Sequence, residues 1–80
     1  MSREVILEKV NEIFRDLFED ESLTIGDSTT ALDVDGWDSL KHITLIETIE
    51  DEFDMRFKMK EVTEMKNVGE MLDIIVERSK

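Results

Sequence analysis

The 80-residue chain contains no cysteine and no proline, and only three glycines, Gly26, Gly36 and Gly69. Without cysteine it has no disulfide, no thiolate metal site and no thiol nucleophile, so any chemistry that needs a thiol must import one. The absence of proline and the scarcity of glycine leave few tight turns and suit a helical domain. No apolar run approaches the roughly 20 residues that a membrane-spanning helix requires. The N-terminus lacks a basic-then-apolar leader, so a soluble, cytoplasmic protein without membrane insertion is expected. Positive charge is also sparse. Ten lysines and arginines against 21 acidic residues give a net charge of −11, too negative for a nucleic-acid binder. Eighty residues make one small domain with a modest core.

The acidity is uneven. Residues 1–21, 22–37 and 38–54 carry −4, −3 and −5, whereas residues 55–80 carry +1. Partners with basic patches are therefore expected, attracted by a field that salt screens.

Ser2 is a candidate N-cap for a first helix to about Phe18. Ile6, Val10, Ile13, Phe14 and Leu17 recur there on one face of a 3.6-residue period. No period holds from Glu19 to Trp37, a stretch rich in turn formers; a loop this long in so small a domain is either functional or not wholly a loop. Leu23, Ile25, Leu32 and Val34 are spaced through it, and some should tuck into the core. Trp37 should pin the loop's end against the helices, because an indole buries a large apolar area; the alternative is a contact with a partner. A second helix is expected from Asp38 or Ser39 to about Phe53, with Leu40, Ile43, Ile46, Ile49 and Phe53 as its buried stripe. A short third helix fits around Lys60–Met65. Asn67 then caps a last helix with Glu70 as capping-box partner, and Val68, Met71, Leu72, Ile75 and Val76 form its core face. Gly69 has no local reason to stand near the start of that helix. The expected fold is all-α: a small four-helix bundle with a long loop between helices 1 and 2.

The charges of the second helix run against its dipole. Lys41 and His42 stand in its first turns, while Glu50, Asp51, Glu52 and Asp54 crowd its end, each at a cost of about 0.3–1 kcal/mol when exposed. Several such placements suggest selection for something besides stability, although a well-solvated charged face would also accommodate them.

Gly36-Trp37-Asp38-Ser39-Leu40 sets a serine hydroxyl on the first turn of this helix, where unpaired N–H groups and a partial positive charge favour a phosphate. One reading is that Ser39 carries a phosphate-linked arm. The plainer reading is that Asp38 or Ser39 is an ordinary N-cap. Asp33-Val34-Asp35-Gly36 fails as a calcium loop, because with Gly36 at the sixth position His42 falls where a bidentate glutamate is required. Ser39 and His42 lack an orienting acid and an oxyanion hole, so hydrolase chemistry is disfavoured. His42 is expected to face solvent.

Gly36-Trp37-Asp38-Ser39-Leu40-Lys41-His42-Ile43 resembles the attachment motif of acyl and peptidyl carrier proteins, whose core is Asp-Ser-Leu at a helix start. The likeness extends through the amphipathic first helix, the long loop, Glu50-Asp51-Glu52-Phe53-Asp54 and the Asn67-Val68 opening of the last helix. The resemblance implies a carrier and not an enzyme. Ser39 would receive 4′-phosphopantetheine from coenzyme A through a phosphopantetheinyl transferase using magnesium. The arm's thiol would hold acyl groups as thioesters between the enzymes of fatty-acid, polyketide or related biosynthesis. It further implies partner recognition by Asp38, Leu40, Lys41, Thr44, Glu47, Glu50 and Asp51, an acyl-chain site lined by Ile43, Ile46, Phe53, Phe57 and Ile75, and a monomer that meets acyl-loading and acyl-processing enzymes. Lys41 and His42 depart from the acidic residues typical after the serine, and would partly balance the phosphodiester. Together with Glu47, Lys58, Lys60 and Trp37 they favour a dedicated partner set, in polyketide-like, amino-acyl or surface-glycolipid assembly. The competing reading is a cofactor-free acidic helical interaction module.

Overall fold

The computed structural model describes residues 2–79. Its helices are α1 (Arg3–Leu17), α2 (Ser39–Phe53), α3 (Met59–Glu64) and α4 (Val68–Arg78), with a 3-10 turn, Ala31–Asp33, in the long first connection. Among the described residues there is no strand. None of the helices is long and apolar enough to cross a membrane. The all-helical fold is the one expected.

Local chemistry accounts for most boundaries. Ser2 caps α1 by accepting from the Val5 N–H at 3.2 Å. The helix ends in a Schellman motif: the Glu19 N–H reaches Asp16 O and the Asp20 N–H reaches Arg15 O, with Glu19 in the left-handed region at φ 52°. Asn67 caps α4 by accepting from the Glu70 N–H at 2.9 Å. Glu70 does not close a box on Asn67, however. Its carboxylate accepts instead from the Lys66 N–H at 3.1 Å, one residue earlier, so the cap holds but the expected reciprocal bond does not form.

The core joins Ile6, Val10 and Phe14 of α1 to Leu45, Ile46, Ile49 and Phe53 of α2 and to Val68, Met71, Leu72 and Ile75 of α4. Two expectations for α2 fail here: Leu40 is 78% exposed and Ile43 54%. A strict three-residue spacing loses about 60° per step on an α-helix, so Leu40 and Ile49 lie on opposite faces. The true stripe begins at half-buried His42 and continues through Leu45, Ile46, Ile49 and Phe53. Val76 is likewise 42% exposed, at the edge of the α4 face.

The long loop is fastened by its backbone. Asn11, a polar residue on the core face of α1, is buried; its Oδ1 accepts from the Ile25 N–H at 2.7 Å and its Nδ2 donates to Ile25 O at 3.3 Å. Farther along, Thr29 O and Asp27 O accept from the N–H groups of Val68 and Gly69 at 2.9 and 2.8 Å, satisfying the first turn of α4. Arg3 closes this corner by donating to Asp27, to Asp73 and to Gly69 O. Of the four apolar loop residues, Ile25 and Val34 are buried, Leu23 is half-buried, and Leu32 is 96% exposed.

This corner explains Gly69. A Cβ there would stand 2.9 Å from Asp27 O and 3.3 Å from Asp27 Cβ, so only glycine lets loop backbone and helix start approach so closely. Gly69→Ala should therefore destabilise the fold by about 1–3 kcal/mol, as overpacking does, read as a lower urea midpoint. Gly26→Ala, where a Cβ meets nothing within 4 Å, should leave the midpoint unchanged or raise it.

Candidate functional site

The loop delivers the chain to α2 through Gly36, whose φ of 86° suits the residue that must turn there. Trp37 then packs edge-on against Phe14 of α1, ring centres 5.2 Å apart at 79°, with Phe18 at 6.3 Å. The loop's end is pinned to the core, as expected. Asp38 is the N-cap: its Oδ1 accepts from the Lys41 N–H at 2.9 Å. Ser39 is the first residue of the helix and is exposed. Capping falls to Asp38, so the Ser39 hydroxyl is not spent on that bond.

Beside Ser39 lies an open cavity of about 600 Å³ between the start of α2, the 3-10 turn and α3. Its apolar lining includes Trp37, Ile43, Met59, Val62 and Met65, and its polar lining includes Asp38, His42 and Lys66. His42 does not face solvent as expected. Its ring stacks on Trp37 at 5.9 Å and is half-buried, Nδ1 lying 3.1 Å from Trp37 Nε1 and Nε2 lying 3.1 Å from Val62 O. Both ring nitrogens are engaged in these contacts, so neither is free to donate a hydrogen bond to a phosphodiester.

Of the five residues expected along an acyl chain, Ile43 lines this cavity. Ile46, Phe53 and Ile75 lie within the closed core, and Phe57 is half-buried at its edge. Of the seven expected to meet partners, Asp38, Leu40, Lys41, Thr44, Glu47 and Asp51 are exposed. Glu50 is not: its side chain is 14% exposed, accepting from the Phe57 N–H at 2.8 Å with Arg56 at 3.7 Å.

These contacts also dissolve part of the inverted charge pattern on α2. The Lys41 ammonium reaches Leu17 O at 3.4 Å, so it serves the C-terminal end of α1, where a cation belongs. Glu50 holds the turn after its own helix, and Glu52 meets Lys9 of α1 at 3.5 Å.

The outer side of the cavity wall is anchored by an ion pair. Arg78 of α4 forms a two-pronged pair with the Glu61 carboxylate of α3, which also accepts from the Lys58 N–H at 2.8 Å. The Arg78 hydrogen bonds, followed by the Lys58 N–H, lower the Glu61 pKa from 4.5 to about 2. Among the described residues no group of three or more histidine, aspartate or glutamate side chains is placed to hold a metal ion.

The fold and site thus define a class: a small helical domain presenting a serine hydroxyl at a helix start beside a partly apolar cavity. An exposed hydroxyl, helix N–H groups near it and an adjoining cavity fit a phosphate-linked arm. The family model described as phosphopantetheine attachment site matches residues 8–75. The solution structure of a holo acyl carrier protein from Geobacter metallireducens is 36% identical with a TM-score of 0.84, covering 90% of this chain and 83% of that one. The crystal structure of an acyl carrier protein from Thermotoga maritima is 27% identical with a TM-score of 0.82, covering 98% of this chain and 91% of that one. A search of curated protein sequences returned no match. The chain belongs to the acyl carrier protein family, so its cofactor is 4′-phosphopantetheine and it is a carrier, not an enzyme.

The Glu61–Arg78 pair makes a pH prediction. Because the Glu61 pKa is lowered on folding, its stabilisation is complete above about pH 4.5 and is lost as pH falls towards about 2. Thermal midpoints of the natural chain and Glu61→Gln should differ most at neutral pH and converge across that interval.

Proposed function

We propose that Ser39 bears the 4′-phosphopantetheine, joined through its Oγ by a separate transferase using coenzyme A and magnesium. The observation that carries this reading is an exposed serine on the first turn of α2 whose capping duty is performed by Asp38. The N–H groups of that turn favour the phosphodiester anion, and Trp37 holds the chain before it against Phe14. When bound, the arm provides the thiol that the cysteine-free sequence lacks, and acyl groups travel on it as thioesters. Tethering raises the effective concentration of such a group at each enzyme the carrier visits.

Leu40, Thr44, Glu47 and Asp51 recur on the outward side of α2 and, with Asp38 and Lys41, form the surface offered to partners. Exposed Leu32 and Met59 add apolar area on the loop and on α3. The partners are acyl-loading and acyl-processing enzymes with basic docking patches, met by a monomeric carrier. A small acyl group folding back from Ser39 meets Ile43, Met59, Val62 and Met65. Ile46, Phe53 and Ile75, buried in the core, become lining for a longer chain when α3 gives way. Lys41 and Glu47 on the docking surface favour a dedicated partner set, in polyketide-like, amino-acyl or glycolipid assembly, over general fatty-acid elongation.

Purified unmodified protein incubated with coenzyme A, magnesium and a broad-specificity transferase should gain one phosphopantetheine by intact mass. Ser39→Ala, with unchanged helical circular dichroism, should gain none. Modification of that variant would overturn the assignment.

A further inference from the structure

Trp37 and His42 are the chain's single tryptophan and single histidine, and the bond between them fixes where the imidazole carries its proton. An indole N–H only donates, so His42 Nδ1, 3.1 Å from Trp37 Nε1, must be unprotonated and accept. The proton of the neutral ring then sits on Nε2, which donates to Val62 O at 3.1 Å. Val62 lies near the end of the six-residue helix α3, whose last carbonyls lack partners within the helix. The N–H four residues on, that of Lys66, is turned to Glu70 instead. One neutral imidazole therefore satisfies a loop indole and a helix-terminal carbonyl, and both residues line the cavity beside Ser39.

We propose that His42 is a positioning residue that holds the two sides of this cavity together, and that protonating it releases Trp37. The imidazolium has an N–H on both nitrogens, so Nδ1 can no longer accept and two donors face each other. The Val62 bond survives, because Nε2 keeps its proton. The change is one-sided: the loop end two residues before Ser39 keeps its packing on Phe14 but loses its hydrogen bond to α2, while α3 stays tied to α2. The charged side chains lining the same cavity are Asp38 of the α2 cap and Lys66 before α4. From α3 the cavity receives uncharged Met59, Val62 and Thr63, and Trp37 is met by Phe14 of α1 and by Phe18 just after that helix. A group tethered at Ser39 would thus find the cavity closed on its loop side while His42 is neutral and loosened once its ring is protonated.

The test uses the unmodified full chain and is independent of what Ser39 carries. In ¹⁵N-labelled protein, the His42 ring nitrogens and the Trp37 indole N–H are followed from about pH 8 to about pH 5, the range in which histidine titrates. At the upper end His42 should show the Nε2–H tautomer. As the ring takes its second proton, the indole signal should move with the same midpoint, and its solvent exchange, corrected for intrinsic pH dependence, should rise by a factor of about ten, the worth of one hydrogen bond. His42→Gln should keep its helical circular dichroism and lose the indole's pH response. An Nδ1–H tautomer at the upper end, an indole signal flat through the His42 titration, or a full response surviving in His42→Gln would each overturn the proposal. If His42→Gln does not fold, the titration of the natural chain decides alone.

Discussion

The rest of the structure depends on the satisfaction of backbone polar groups in a connection that has almost no secondary structure of its own. Twenty-one residues separate α1 from α2, and buried N–H and C=O groups without partners would cost far more than such a loop could recover by packing. The molecule meets this demand from both sides. Asn11 gives Ile25 a donor and an acceptor from within α1, and the opening turn of α4 gives its N–H groups to Asp27 and Thr29. Each bond answers two needs, because the first turn of α4 lacks helical acceptors of its own.

Order in the loop is what makes the start of α2 a defined place. Once Ile25 and Val34 are buried and Trp37 is wedged against Phe14, the residue after Asp38 has a fixed position and its hydroxyl faces outward. Division of labour between neighbours completes the site: Trp37 anchors, Asp38 caps, and the Ser39 hydroxyl is left uncommitted. The hydroxyl is thereby separated from the bonds that hold the fold together.

Much of this was legible in the amino-acid sequence, for reasons of range. The stripes of α1 and α4, and the caps Ser2, Asp38 and Asn67, are governed by residues within one or two turns, so periodicity and cap chemistry reveal them. The motif around Ser39 was visible for the same reason. The face of α2 was misread because Leu40, Ile43, Ile46 and Ile49 form an apolar row that winds around the helix; Leu45 and His42 carry the true stripe. The role of Asn11 left a trace, a polar residue among the core positions of α1, and Gly69 left another near a helix start. Their partners are loop backbone atoms far away in the chain, which no local pattern identifies. His42 was hidden similarly, since its environment is made by Trp37 on one side and a carbonyl of α3 on the other. The inverted charges on α2 had looked like a conflict within one helix. Lys41 and Glu52 answer α1, and Glu50 answers the turn before α3.

The central claim is that one hydroxyl is set apart as a tether, and it is tested most directly by locating the modification in the natural sequence. Protein co-expressed with a phosphopantetheinyl transferase would be digested and the modified peptide fragmented by tandem mass spectrometry. The account predicts that the phosphodiester resides wholly on Ser39. Its appearance on Ser28, Thr29, Thr30 or Thr44, or unmodified protein under conditions that fully load a reference acyl carrier protein, would contradict it.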